Sequence, residues 1–171
     1  MPSYSLPSDE YAFWDEHSQE DCLCSLFSNE DWHKIIYDIY GDLEWSKFLK
    51  EYSDYYKCYV LRRASDNNIL AFIYIINEDL KWSTVTIHGG AVEACPVITR
   101  YRSYILMILA LLDAGIKVRT NCSNTNLRAI RFNRSVGFVK YEESNNVISF
   151  WINKNRVLSS SIYKRLFGTS R

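Results

Sequence analysis

The apolar positions of this chain change period, and the changes divide it. Trp32, Ile35, Ile36, Ile39 and Tyr40 share one stripe at helical spacing, the mark of an amphipathic helix. Ser28 with the acids Glu30 and Asp31 resembles a capping box, and Gly41 is the stop. Asp42 caps a second predicted helix, with Leu43, Trp45, Phe48, Leu49 and Tyr52 on its apolar face. From residue 57 the period falls to two. Residues 58–63 read as a strand, Ile69–Asn77 as a nearly continuous run of β-branched and aromatic residues, and 82–88 as a clean alternation. Asp66-Asn67-Asn68 and Glu78-Asp79 supply turn chemistry between them. Three strands on short links predict an antiparallel meander. Gly89-Gly90 is expected to end the third strand, either as an ordinary turn or as a close approach of backbones.

The helical period then returns. Residues 100–113 form an intensely apolar helix stopped by Gly115. Its uncharged stretch, 103–112, is shorter than the roughly 20 residues a bilayer needs, so the expectation is a buried helix against a sheet and no membrane span. Residues 117–121 alternate around Val118 as a short strand. Ser123, Asn124 and Thr125 are three candidate caps for a helix whose spacing runs through Ala129, Ile130, Phe132, Asn133 and Val136. Gly137 is its left-handed stop. A strand follows from Phe138, a turn at 142–146, and a last strand at Val147–Ile152. Val157, Leu158, Ile162, Tyr163, Leu166 and Phe167 fit a short amphipathic C-terminal helix docked on the domain. Residues 1–27 show no clear period and read as an irregular arm or one short element without a definite place.

Composition narrows the class. A chain of 171 residues, 47% hydrophobic and 15% aromatic, suits one packed domain that buries about 70% of its unfolded surface. The net charge is zero but uneven. Residues 1–60 hold 13 acids and 4 bases, and residues 61–171 hold 7 acids and 16 bases. A basic second half suits a phosphate-bearing partner; it is equally suited to internal neutralisation by the acidic first half. Residues 154–171 carry five bases and no acid, and without a recognised motif nucleic acid is an unlikely partner. The five cysteines have no framework spacing, and residues 1–21 are acidic without an apolar segment. Reduced thiols and a cytoplasmic protein are therefore expected. Cys22-x-Cys24 near His17 and His33 lacks a second ligand pair, so no metal is expected.

Asn126-x-x-Ala129-Ile130-x-Phe132-Asn133-x-x-x-Gly137-Phe138 resembles the C-terminal motif of the GCN5-related N-acetyltransferases (GNATs). That family has Asn-x-x-Ala-x-x-Phe-Tyr-x-x-x-Gly-Phe, and five of the six marked positions match, with Asn133 in place of tyrosine. The resemblance implies an α/β fold with a mixed sheet. It also divides the single domain into a variable N-terminal arm with acceptor-side helices (1–56), a core (57–153) and a basic tail (154–171). It implies acetyl-coenzyme A as co-substrate, an amine of a small molecule or peptide as acceptor, and two strands that part to admit the thioester. The family's phosphate loop, Arg/Gln-x-x-Gly-x-Gly/Ala, has no counterpart, because the chain has no glycine between Gly90 and Gly115. Arg100 and Arg102 are the candidates to replace its phosphate contacts by charge-assisted hydrogen bonds. Asn126 is a candidate contact to the pantetheine arm, and Arg134 to a phosphate. His88 is the first candidate base and Glu93 the second. Asn133 can donate a hydrogen bond but cannot deliver a proton, and Tyr101 and Tyr104 are spare candidates for that role. The missing glycines and Asn133 also fit an inactive binding module that kept only the fold.

Overall fold

The computed structural model describes residues 3–17 and 56–168. Both helices predicted between residues 28 and 52, and the Cys22-x-Cys24 pair, lie outside that range. A seven-stranded sheet runs in the order β1-β2-β3-β4-β5-β7-β6. The strands are β1 (Ala12–His17), β2 (Tyr56–Arg63), β3 (Ile69–Asn77), β4 (Thr84–Ala91), β5 (Lys117–Ser123), β6 (Val139–Ser144) and β7 (Val147–Ile152). The helices are α1 (Val97–Asp113), α2 (Leu127–Val136), α3 (Lys154–Ser159) and α4 (Ser161–Phe167).

The meander β2-β3-β4 forms as its alternation demands, every pair antiparallel. In β3 the residues from Leu70 to Ile75 are all buried. Asn67, in the left-handed region, makes the β2–β3 turn, with Asp66 accepting from the Asn68 N–H at 3.1 Å. β1 is the element that the sequence does not announce. It pairs with β2 across Ala12↔Arg63 to His17↔Cys58, and its Trp14 indole donates to the Ser103 carbonyl of α1 at 2.8 Å. A six-residue edge strand held by one buried ring and two flanking acids has no period to read.

One face of the sheet carries the helices. Ile105, Met107, Ile108 and Leu111 of α1 recur at helical spacing, each no more than 1% exposed, and pack with Leu61, Ile73, Ile75, Val85 and Val118. α1 begins at Val97, three residues before the predicted start, with Pro96 at its N-cap and no side-chain cap. α2 closes as predicted: Gly137 takes φ 115°, and the N–H groups of Gly137 and Phe138 return to the Asn133 carbonyl. A Cβ at Gly137 would stand 2.6 Å from the Arg156 carbonyl oxygen, so the glycine also lets α3 approach. The tail forms two helices, not one, broken at Ser160, whose hydroxyl caps α4 at Tyr163 N–H. Val157 is fully buried and Ile162, Leu166 and Phe167 pack on the core, so the tail docks.

Gly89 and Gly90 do not end β4. They lie inside it, paired with Ile73 and Phe72. Cys95 and Cys122 are free thiols, but Cys58 is disulfide-bonded, which departs from the expectation of reduced cysteines throughout. No helix among the described residues is long and apolar enough to cross a membrane.

Candidate functional site

β4 and β5 are parallel neighbours only at Thr84↔Lys117, Val85↔Val118 and Thr86↔Arg119. Beyond that point β4 runs on beside β3 to Ala91, while β5 runs on beside β7 to Ser123. The two strands therefore part in a V. At its apex the Thr120 hydroxyl donates to the Ile87 carbonyl at 2.8 Å, so a side chain satisfies an oxygen that the lost ladder leaves behind. The V opens into a cavity of about 500 Å³ floored by β4 and β5 and walled by α1 and α2.

Glycine at 89 is a condition of this arrangement. The Tyr104 hydroxyl donates to the Phe72 carbonyl at 2.5 Å, and the Gly90 carbonyl oxygen lies 3.4 Å away. A Cβ on residue 89 would meet that hydroxyl at 1.9 Å. Burial pushes the Tyr104 pKa far up, and its hydroxyl is engaged with the sheet. Tyr101 is stacked on Phe132 with ring centroids 4.7 Å apart.

Of the sequence candidates, His88, Arg100, Asn126 and Asn133 all line the cavity. His88 is half-buried in β4, and loss of water around its ring pushes the pKa down from 6.5 to about 4. It is therefore neutral at pH 7. Arg100 reaches the cavity from the first turn of α1. Its Nη2 is 3.5 Å from the Cys95 carbonyl oxygen, and its buried Nε has no hydrogen-bond partner among the described residues. A buried guanidinium N–H without an acceptor is costly, and an anion in the cleft would remove the cost. Asn126 turns out to be the cap of α2, accepting from the Ala129 N–H at 3.0 Å. It takes the role expected of Ser123, Asn124 or Thr125. Asn133 is 9% exposed and faces the cavity from α2.

The other three candidates are elsewhere. Arg102 is turned away by the helical period and binds Asp9 at 3.1 Å, the Leu166 carbonyl at 3.0 Å and the Phe167 ring face at 4.7 Å. These contacts tie the two ends of the described chain together. Glu93 is exposed in the β4–α1 turn and Arg134 is exposed on α2, and neither lines the cavity. Arg128 does line it. Its position in the first turn of α2, two residues past the cap, was the available signal, since that turn faces the C-terminal end of β5 whereas Arg134 lies almost two turns on. Thr120 and Cys122, also in the wall, carried no sequence signal.

A meander, a β-α-β crossover whose strands part, a short capped helix and a closing hairpin define the acyl-CoA N-acyltransferase fold, and the chain has that fold as the GCN5-related N-acetyltransferases show it. Among solved structures it is similar to apo FdhC, a nucleotide-linked sugar GNAT, at 13% identity and a TM-score of 0.69, over 98% of this chain and 100% of that one. A probable GNAT-family acetyltransferase from Chromobacterium violaceum matches at 14% identity and 0.70, over 90% and 88%. Spermidine N-acetyltransferase from Vibrio cholerae, in complex with CoA and spermine, matches at 12% identity and 0.61, over 88% and 100%. No protein-family model and no curated protein matches the sequence.

Proposed function

We propose that the chain is an acetyl-coenzyme A-dependent N-acetyltransferase acting on an amine of a small molecule or peptide. The observation that carries the reading is the V between β4 and β5, with Arg100 lining its cavity and the buried Arg100 Nε without a hydrogen-bond partner among the described residues. Neighbours of this fold include an enzyme in complex with CoA. The pantetheine arm lies in the V, and the uncapped N-terminus of α1 with Arg100 and Arg128 takes the phosphates. Arginine forks here do by side chain what a glycine-rich loop does by backbone. The acceptor nitrogen attacks the thioester carbonyl; a C–N bond forms, the C–S bond breaks, and the departing thiolate takes up a proton. Positioning supplies most of the acceleration. His88, neutral at pH 7, is available to accept the proton the amine sheds, and Asn133 donates a hydrogen bond to the carbonyl or the leaving sulfur.

Acetyl-coenzyme A at a hundred times its dissociation constant should stabilise the native state by about 2.7 kcal/mol, read as a rise in melting temperature. Arg100→Ala should weaken binding by roughly tenfold to a hundredfold, the range for a hydrogen bond to a charged group. No thermal shift at millimolar ligand rejects the reading. A second reading, a binding module without turnover, is favoured by Asn133, which cannot deliver a proton, and by the commitment of the Tyr104 hydroxyl to the sheet. It predicts coenzyme A binding with no acetyl transfer to any amine.

A further inference from the structure

The cleft has two chemically different ends. Arg100 and Ile108 both line it, yet they are eight residues apart on α1, about 12 Å along the axis. At the Arg100 end the wall is cationic. Toward the Ile108 end the wall gains apolar side chains, Ile108 from mid-helix, Ile87 at the apex of the V and Phe138 just beyond the Gly137 stop, beside Thr120, whose hydroxyl is held by the Ile87 carbonyl. Ile108, Ile87 and Phe138 are 1%, 5% and 5% exposed, so the cavity reaches into the hydrophobic core and does not finish at its rim. Tyr104, between the two ends, has its hydroxyl turned to the strand carbonyls and offers the cavity its ring.

Asn133 stands at the position where the motif it resembles has tyrosine. The substitution removes most of a phenol ring from the α2 wall. Asn133 itself lines the cavity, so the shorter amide is part of its α2 wall. A packed core seldom keeps such room unless a ligand fills it.

We propose that the cleft takes an acyl-coenzyme A with a butyryl- to hexanoyl-sized chain in preference to acetyl, the chain lying over Ile108 and Phe138 in the space left by Asn133. The proposal rests on the thioester reading above and specifies its donor. The acetyl group is then the smallest acyl the site accepts, and the carbonyl stays near the apex whatever the chain beyond it.

The test is calorimetric titration of the full chain with coenzyme A, acetyl-, butyryl- and hexanoyl-coenzyme A. Each methylene buried contributes on the order of 0.8 kcal/mol, so butyryl-coenzyme A should bind roughly tenfold tighter than acetyl-coenzyme A. Asn133→Tyr restores the ring and should remove that ratio. Acetyl-coenzyme A binding as tightly as the butyryl thioester, or a ratio untouched by Asn133→Tyr, overturns the proposal and leaves the thioester site standing. Failure of coenzyme A and all three thioesters to bind overturns both.

Discussion

At the scale of single residues, the site depends on atoms that are absent as much as on those present. Gly89 has no Cβ, and the Tyr104 hydroxyl lies 1.9 Å from where one would be, with two ring carbons at 2.6 Å. Tyr104 has little freedom to retreat, because Trp14 and Phe132 meet its ring edge-on at 5.5 and 5.6 Å. Gly89→Ala should therefore cost about 1–3 kcal/mol, the usual range for overpacking. Tyr104→Phe in the same chain should restore only part of it, since the ring carbons still collide. Urea unfolding of the two variants checks both; full rescue would show that the hydroxyl alone was the obstacle. Sequence reading reached Gly89-Gly90 as a place of close approach or a turn. It had no means to choose, because the obstacle is a side chain 15 positions away.

Elements show the same division. The helical period assigned α1 and α2 correctly but could not say which arginine of α1 faces the cleft until the register of that helix on the sheet was known. Arg100 faces it; Arg102, two residues on, is rotated away and joins Asp9, Leu166 and Phe167. Burial pushes the Asp9 pKa up, but the Tyr11 N–H, Arg102 and the Ala12 N–H together hold it below the ordinary value. Arg102→Ala should thus destabilise the fold by about 1–2 kcal/mol, combining a partly buried ion pair with a cation–π contact. Its affinity for acetyl-coenzyme A should equal that of the parent chain. Thermal melts beside titrations separate the two; a weaker ligand affinity would return Arg102 to the site. β1 lay beyond reach at this scale, since an edge strand pairs through its backbone and needs no periodic side chains.

For the molecule as a whole, charge and protonation are the observable consequences. The uneven charge of the two halves is met in part internally, by Asp15 with Arg62 and Asp9 with Arg102. His88 makes the fold sensitive to acid. Its folded pKa of about 4 lies below the ordinary 6.5, so between those values the unfolded chain binds more protons. Stability is complete above pH 6.5 and is lost as pH falls toward 4, by at most about 3 kcal/mol and less where cleft water screens the ring. His88→Gln should flatten the melting temperature across pH 6.5 to 4; an unchanged slope would assign the acid sensitivity to other groups. In the same framework, a catalytic His88 gives no rate break near pH 6.5, and the visible limb belongs to the acceptor amine.

The sequence by itself determined most of the strands and helices from residue 57 onward, though not the run of β4 through Gly89-Gly90 or the break of the tail at Ser160, and it determined where α2 is stopped and that the motif around Asn126 and Gly137 resembles an acetyltransferase. Those features are local: period, turn residues and a left-handed glycine are written within a few positions of where they act. Only the tertiary structure decided that β4 and β5 part after three pairs, that Arg100 and Arg128 and not Arg102 and Arg134 reach the cavity, and that Ile108 and Phe138 form its inner wall. Each of these depends on how elements distant in sequence are set against one another, and no periodicity within one element encodes the rotation or spacing of its neighbour.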